Sequence, residues 1–425
     1  MGAASVLLGR ENYEAHLIKL EGMVMKRKDA IGAIRINVLA CALVVSLCLP
    51  ALAADKKPYK VGVCASLSGP IAAFGVIVKN GLILETDRIN AQGGINGHKL
   101  ELVFEDDATN ITNMANISRK FGRDKEILAQ IGPLWSVATS TVTPIIEREK
   151  IPLLTIWAPS AEERRMKPKW VFNIPQGDII LGEKTMDLIM ARGYKKVYAF
   201  CDRDPIWNGA MVEETMKPIA QKNGIEITIS KEIYNSTDTD MTPQVLKIKD
   251  DLKNYDAIFL GSSGSNGSVA RRNLLSQGIH LPVIGTHGWG FGFTLDVGKE
   301  AVEGVEFVAG KAVVPYELDD NDPQKAVIVD FDKRMKARWN MPAEQISAHA
   351  YDAAWIIAGA LKRAGENPTR ARVRDEIEKT KNFIGCTGIF NYSPRDHQGL
   401  TKNAFVFIRI ENNKFHRIKL PKYEK

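Results

Sequence analysis

Apolar residues recur along this chain with two alternating periods, and the alternation predicts a chain of strands and helices. Residues 59–66 (YKVGVCAS) alternate apolar and polar side chains as a strand does, and LSGPIAAFG then turns into a helix predicted over Val76–Asn90. Gly93-Gly94 stops that helix, HKLELVFEDDA reads as a second strand, and a third unit runs from Asn110 through a helix to a strand at Ile127–Ile131. A strand at Ile151–Ile156 follows. After a charged run, AEERRMKPK, the alternation restarts, with strands predicted at Lys195–Asp202, Ile225–Ile233, Tyr255–Gly261, Leu281–Gly285 and Val305–Val313. Helices are predicted between them, one of them capped by Thr242 with Pro243 at its first position. Three further helices, over 330–339, 349–364 and 369–381, lead to a closing hairpin that turns at Asn412-Asn413. Strand, helix and strand at this spacing specify parallel doubly wound sheets, and the restart near residue 175 divides the α/β chain into two similar lobes.

Ligands of such sheets gather beyond the carboxyl ends of the strands, so the loops there carry the candidate chemistry. The stretch 131–160 (IGPLWSVATSTVTPIIEREKIPLLTIWAPS) holds two of them. In the first, the strand ends at Gly132-Pro133, and Trp135 and Ser136 open a helix that also carries Thr139 and Ser140. A hydroxyl beside free helix-terminal amides, with the positive end of the helix dipole behind them, makes a seat for an anion. In the second, Ile151–Ile156 ends in Trp157, Ala158, Pro159 and Ser160. Together they describe a pocket for a small carboxylate with an apolar body.

Composition narrows the field. With 425 residues, 45% hydrophobic and 25% charged, the chain is long enough for two cores. Its net charge of +7 comes from 57 basic and 50 acidic residues without a basic stripe, which argues against nucleic acid as a partner. From Met25, MKRKDAIGAIRINVLACALVVSLCLPALAADKK has the basic start, apolar run and Ala51-Leu52-Ala53 cleavage site of a secretory signal peptide. The mature chain is therefore expected to begin at Ala54 or Asp55, and residues 1–24 read as an extension upstream of the true start. Cys41 and Cys48 would leave with the signal. Cys64, Cys201 and Cys386 are odd in number, lie in apolar surroundings and have no metal-binding spacing.

Other features have plainer readings. His280, His287 and His349 lack a serine or cysteine partner at a catalytic spacing and read as surface or satisfied histidines. Gly261, Gly264 and Gly267 lack the Lys-Ser/Thr of a phosphate loop and read as a flexible cleft loop. Asp106-Asp107 reads as a helix cap.

Six segments in order, VGVCASLSGPIAAFG, GGINGHKLELVFEDDATN, IGPLWS with IPLL, FNIPQGD, GENPTRARVRDEIEK and GIFNYSPRDHQG, give the chain its family resemblance. It resembles the type I periplasmic solute-binding proteins, in particular the branched-chain amino acid group that serves ABC importers, over Tyr59–Leu420. The resemblance implies two Rossmann-like lobes joined by a three-segment hinge, with crossovers near 172–178, 285–288 and 385–391. Lobe one would hold 58–175 and 288–386, and lobe two 176–287 and 387–425. It further implies a ligand held in the cleft, delivery to a membrane permease, a periplasmic location, no cofactor and no covalent chemistry.

Carried over by position, the carboxylate-holding hydroxyl matches Ser136 beside Trp135. The second anchoring loop matches Trp157, Ala158 and Ser160, and the cleft aromatics match Phe74, Trp207 and, more loosely, Tyr316. Ser265 and Asn266 stand where relatives commonly place the acid that pairs a ligand ammonium. A buried ammonium without a charged partner costs several kcal/mol, so Asp178 or Asp204 would have to take that role, or the ligand is an apolar carboxylate without the amine. With Trp289, the chain would present four tryptophans on loops expected to face the cleft, which favours an aromatic ligand body. A ligand sensor for a membrane receptor would need the same pocket.

Overall fold

The computed structural model describes residues 22–23, 56–156, 165–203, 206–235 and 237–424, with the backbone alone for 206–210. The expected signal segment, and Trp157, Ala158, Ser160 and Asp204 of the expected site, lie outside the described residues.

Two sheets organise the chain. The first, in the order β2-β1-β3-β4-β5, is built from β1 (Lys56–Ala65), β2 (His98–Asp106), β3 (Ile127–Ile131), β4 (Leu153–Thr155) and β5 (Val171–Asn173). Its β1–β3, β3–β4 and β4–β5 pairs are parallel. Parallel strands bury both faces, and the helices supply the cover. Helices α1 (Ala72–Ala91) and, late in the chain, α10 (Gln345–Ala364) and α11 (Arg370–Glu378) close one face. On the other lie α2 (Ile111–Arg123) and α3 (Ser136–Glu149), whose Phe121, Val142 and Ile146 pack on Cys64 and Leu153. Asn110 starts α2 by accepting the amide of Asn113 at 3.1 Å, an N-cap that satisfies one of the helix's orphan donors. Arg370 at the start of α11 donates to the carbonyls of Phe121, Gly122 and Ile127 at 2.7–2.8 Å and ties the late helices to this sheet.

The second sheet runs β14-β13-β10-β9-β8-β6-β7, from β6 (Lys196–Cys201), β7 (Glu226–Ile229), β8 (Ala257–Gly261), β9 (Val283–Gly285), β10 (Glu306–Gly310), β13 (Phe405–Glu411) and β14 (Lys414–Ile418). Strands β6 to β10 are parallel and β13 and β14 add an antiparallel edge, while β11 (Phe383–Ile384) and β12 (Ile389–Phe390) pair apart as a short antiparallel ribbon. One face is covered by α4 (Asp178–Arg192), a π-helical stretch (Ile206–Met216) and α5 (Lys217–Lys222). The other is covered by α6 (Thr242–Leu252) and α7 (Gly264–Ser276), with the short α8 (Gly292–Gly298) beside α7. The hairpin turns at Asn412 and Asn413, both at positive φ, a conformation asparagine tolerates well.

The lobe boundaries differ from the expected ones at two places. The chain does not leave the second lobe near residue 287. Strand β10 pairs with β9 on one side and β13 on the other, so residues through Gly310 belong to the second sheet. The return is made by the turns that follow and by α9 (Lys325–Trp339), which packs on α1. Residues 387–400, expected in lobe two, join the first: Phe390, Tyr392 and Leu400 lie in its core, and the Tyr392 hydroxyl donates to the Asn173 carbonyl at 2.8 Å. Apolar runs such as EFVAG look alike in either sheet, and only the pairing partner decides.

The crossings are fastened by side chains. Burial pushes the Asp352 carboxyl of α10 up to about 7, and the group accepts the amides of Cys386 and Thr387 at 2.7 Å each. Gln176 on the first crossing donates to the Thr387 carbonyl at 3.0 Å.

Candidate functional site

In each sheet the strand order reverses once, between β1 and β3 in the first and between β6 and β8 in the second. At such a switch the neighbouring loops diverge and open a crevice. The helices after β1 and β3 carry Phe74 and Ser136 in their first turns, the π-helical stretch after β6 includes Trp207, and α7 after β8 opens with the Ser263–Asn266 turn. Both crevices lie at carboxyl edges.

Ser136 occupies the first turn of α3. Trp135 precedes it in extended backbone as the N-cap and makes no side-chain cap, so the first amides of the helix are not consumed by a neighbouring side chain. The other hydroxyls of this helix are used within it: Thr139 donates to the Trp135 carbonyl at 3.2 Å and Ser140 to the Val137 carbonyl at 2.9 Å. Ser136 differs from both. It is 3% exposed, and its Oγ has no hydrogen-bond partner among the described residues. A buried hydroxyl without a partner is costly, and here it lies beside the positive end of a helix, where a carboxylate oxygen would complete it. Trp135 itself is 37% exposed at the rim.

The loop after β1 is shaped from below. Asp106 accepts the amides of Leu67 and Ala108 at 2.9 and 2.8 Å, and the buried Asp107 accepts the Ser66 hydroxyl at 2.6 Å. The acid pair thus anchors a loop. Gly75 lets that loop lie against α1, because a Cβ there would sit 1.9 Å from the Ser66 carbonyl oxygen.

In lobe two the expected polar turn closes on itself. Ser263 and Ser265 donate to Asn266 Oδ1 at 3.0 and 3.3 Å, and Asn266 is buried. Asp178 lies buried at the first position of α4, with the Ile179 amide 3.0 Å from its Oδ1. Two expectations are corrected. Trp289 is fully buried in the second lobe's core, over Gly267 and Gly285, and does not face the cleft. Tyr316 is half-exposed on the flank, its hydroxyl 2.6 Å from Asp332 Oδ2 and the Lys336 ammonium over its ring, so its contacts are with α9. The Trp207 side chain is outside the described residues.

Two buried residues of α10 make long-range polar contacts. Gln345 bridges the lobes, donating to the His287 carbonyl at 2.9 Å and accepting the Gly310 amide at 3.0 Å. His349 is buried, with Nδ1 2.9 Å from the Ile156 carbonyl. That contact fixes the proton on Nδ1 and leaves Nε2 an acceptor, which has no partner among the described residues. Burial pushes the His349 imidazole down to about 3 and that of His287 to about 4, so both are neutral near pH 7. The period of α10 predicts an apolar face, and nothing local marks His349 as reaching the Ile156 carbonyl beyond β4. Cys64, Cys201 and Cys386 are free and buried, and the described residues hold no cluster of three metal-ligating side chains.

A family model for periplasmic binding proteins matches residues 58–414. The chain is 25% identical, over 83% of its length and 89% of the relative's, to a leucine-, isoleucine-, valine-, threonine- and alanine-binding protein of Pseudomonas aeruginosa. An extracellular ligand-binding receptor from Rhodopseudomonas palustris HaA2 shares 26% identity with a TM-score of 0.75, covering 85% of this chain and all of that one (100%). A leucine binding protein from Thermotoga maritima, at 23% identity and a TM-score of 0.72, covers 85% of this chain and 97% of its own and shares the fold.

Proposed function

Because this chain belongs to the periplasmic binding protein family, we propose that it is the solute receptor of an ABC importer, closing two lobes over an amino acid or related small carboxylate and delivering it to a membrane permease. The single observation that carries the ligand class is the buried Ser136 hydroxyl, partnerless among the described residues, at the start of α3. The acid would be held there by Ser136 Oγ and the helix-terminal amides, with the loop of Trp157, Ala158 and Ser160 as the second anchor. Phe74 and Trp207 would flank the ligand body. Asp178 or Asp204 would pair an ammonium from lobe two's side, while Ser265 and Asn266 would serve as a neutral turn. The chain is exported by its amino-terminal signal and works in the periplasm, by binding and closure and without covalent chemistry.

The relative from Pseudomonas aeruginosa is named for aliphatic amino acids and threonine, which supports the amino acid arm of this reading. The absence of an acid among the residues of the Ser263–Asn266 turn favours the second arm, a carboxylate without the amine.

The test is a thermal-shift screen of the mature chain from Asp55. A ligand that binds only the folded form raises the midpoint, so amino acids or simple carboxylates are expected to raise it while neutral amides and sugars do not. A shift with sugars alone, or with none of the carboxylates, would refute the assignment.

A further inference from the structure

A cavity of about 480 Å³ opens where the second and third crossings run between the lobes. Ile389 and Asn391 of the first lobe form one side of it, and Lys184 of α4, Phe405 of β13 and Arg417 of β14 form the other. Turns of the second crossing, between Lys311 and Gln324, complete the wall. No residue assigned to the ligand cleft lines it. Each acid on the wall already has a cation: Asp322 pairs with Lys311 at 2.7 Å, and Asp319 and Glu424 pair with Arg417 at 2.9 and 3.1 Å. Lys184 is left over. It is 1% exposed, its ammonium donates to the Tyr423 carbonyl at 2.7 Å and lies 4.3 Å from the centre of the Phe407 ring, and among the described residues it has no carboxylate partner. The nearby Asp187 is held by Lys402 at 2.8 Å. Burial lowers the Lys184 ammonium to about 8, so it still carries its charge at pH 7. A buried ammonium without a counter-charge costs several kcal/mol, and only one of its three donors meets a protein acceptor. The Arg417 side chain, 7% exposed, adds a buried Nε with no partner among the described residues. Towards solvent, Asn321, Asn391 and Asn403 are exposed amides that can donate without adding negative charge.

We propose that this cavity is a second binding site, for a small oxyanion that serves as the counter-ion of Lys184. The anion accepts charge-assisted hydrogen bonds from the Lys184 ammonium and Arg417 Nε, with the neutral amides of the rim around it. It supplies the one negative charge that the paired acids of the wall leave missing. The site needs no residue of the α3 start, so it stands or falls apart from the carboxylate cleft.

The probe is inorganic phosphate, titrated calorimetrically into the mature chain at pH 7 and constant ionic strength. Saturable binding at one site is expected. Lys184→Met keeps the apolar stem and removes the charge, and affinity is expected to fall at least tenfold, the loss of a charge-assisted hydrogen bond. The Asn391→Asp/Asn403→Asp double variant changes exposed positions only and is expected to bind about fivefold more weakly, the effect of two like charges on a solvent-facing rim. It decides the question if circular dichroism shows that Lys184→Met does not fold. Ser136→Ala is expected to bind phosphate as the parent does. No saturable binding in the parent chain, or unchanged affinity in the folded Lys184→Met chain or in the rim variant, would overturn the inference and leave the cleft reading untouched. Loss of phosphate binding in Ser136→Ala would overturn it too, by placing the anion at the start of α3.

Discussion

Two helices of this protein begin with hydroxyl-bearing residues after a parallel strand and use them differently. Helix α3 opens on Trp135-Ser136 after β3, and α7 opens on Ser263-Gly264-Ser265-Asn266 after β8; each follows a parallel strand at a switch point. In α7 the hydroxyls of Ser263 and Ser265 both donate to Asn266 Oδ1, within the turn. In α3 the later hydroxyls turn back onto their own helix and leave Ser136 buried without a partner among the described residues. A polar helix start therefore says little by itself. What separates a binding turn from a structural one is whether its donors have been spent.

The sharpest way to break the comparison is through packing. If the start of α7 is a structural device, its Gly267 exists for Trp289, whose ring a Cβ would meet at 2.1 Å. Gly267→Ala is expected to destabilise the fold by about 3 kcal/mol, the upper end of overpacking costs, measured by urea unfolding. A neutral substitution would mean that Trp289 is free to move toward the cleft after all.

A second effect is read through pH. Folded His349 and His287 are held at about 3 and about 4 by burial, below the ordinary value near 6.5 of an unfolded chain. As pH falls below that value the unfolded chain takes up protons that the folded chain refuses, so stability is fully present at neutral pH and drops on acidification. At pH 5 the loss is about 2 kcal/mol per histidine. His349→Asn keeps a donor for the Ile156 carbonyl and removes the titrating ring, so its stability loss between pH 7 and pH 5 should be smaller than the parent's by that amount. Equal losses would show that His349 already titrates normally.

The smallest expected effect belongs to the satisfied turn. Ser265→Ala removes one of the two donors to Asn266 seen among the described residues and leaves Ser263 in place, so stability should change by about 0.5 kcal/mol, the low end for one hydrogen bond, with ligand affinity unmoved. A tenfold loss of affinity would place that turn in the binding site.

The sequence made Ser136 legible because everything that defines it is local: a strand that stops at Gly-Pro, a helix start, and a hydroxyl between them. The strands and their parallel order were legible for the same reason, since period and turn residues are local quantities. Trp289 was not, because whether an indole faces core or cleft depends on Gly267 and Gly285, each of which must lack a side chain to receive it. The lobe boundary at β10 was not, because EFVAG suits either sheet and its partners lie on β9 and on the distant β13. Tyr316 was drawn off by an acid in α9. His349 and Gln345 came from a helix whose period speaks only of its apolar face.

The measurement that bears most directly on the account is calorimetric titration of one carboxylate ligand, taken from the thermal-shift screen, into the parent chain and into Ser136→Ala. Loss of a hydrogen bond to a charged group predicts a drop of about 1.5–3 kcal/mol in binding free energy, roughly tenfold to a hundredfold in affinity, with the unfolding midpoint of the unliganded chain unchanged or raised as an unpartnered hydroxyl is removed. Unchanged affinity in Ser136→Ala would contradict the account, because the one buried donor that sets α3 apart from α7 would then have no part in holding the ligand.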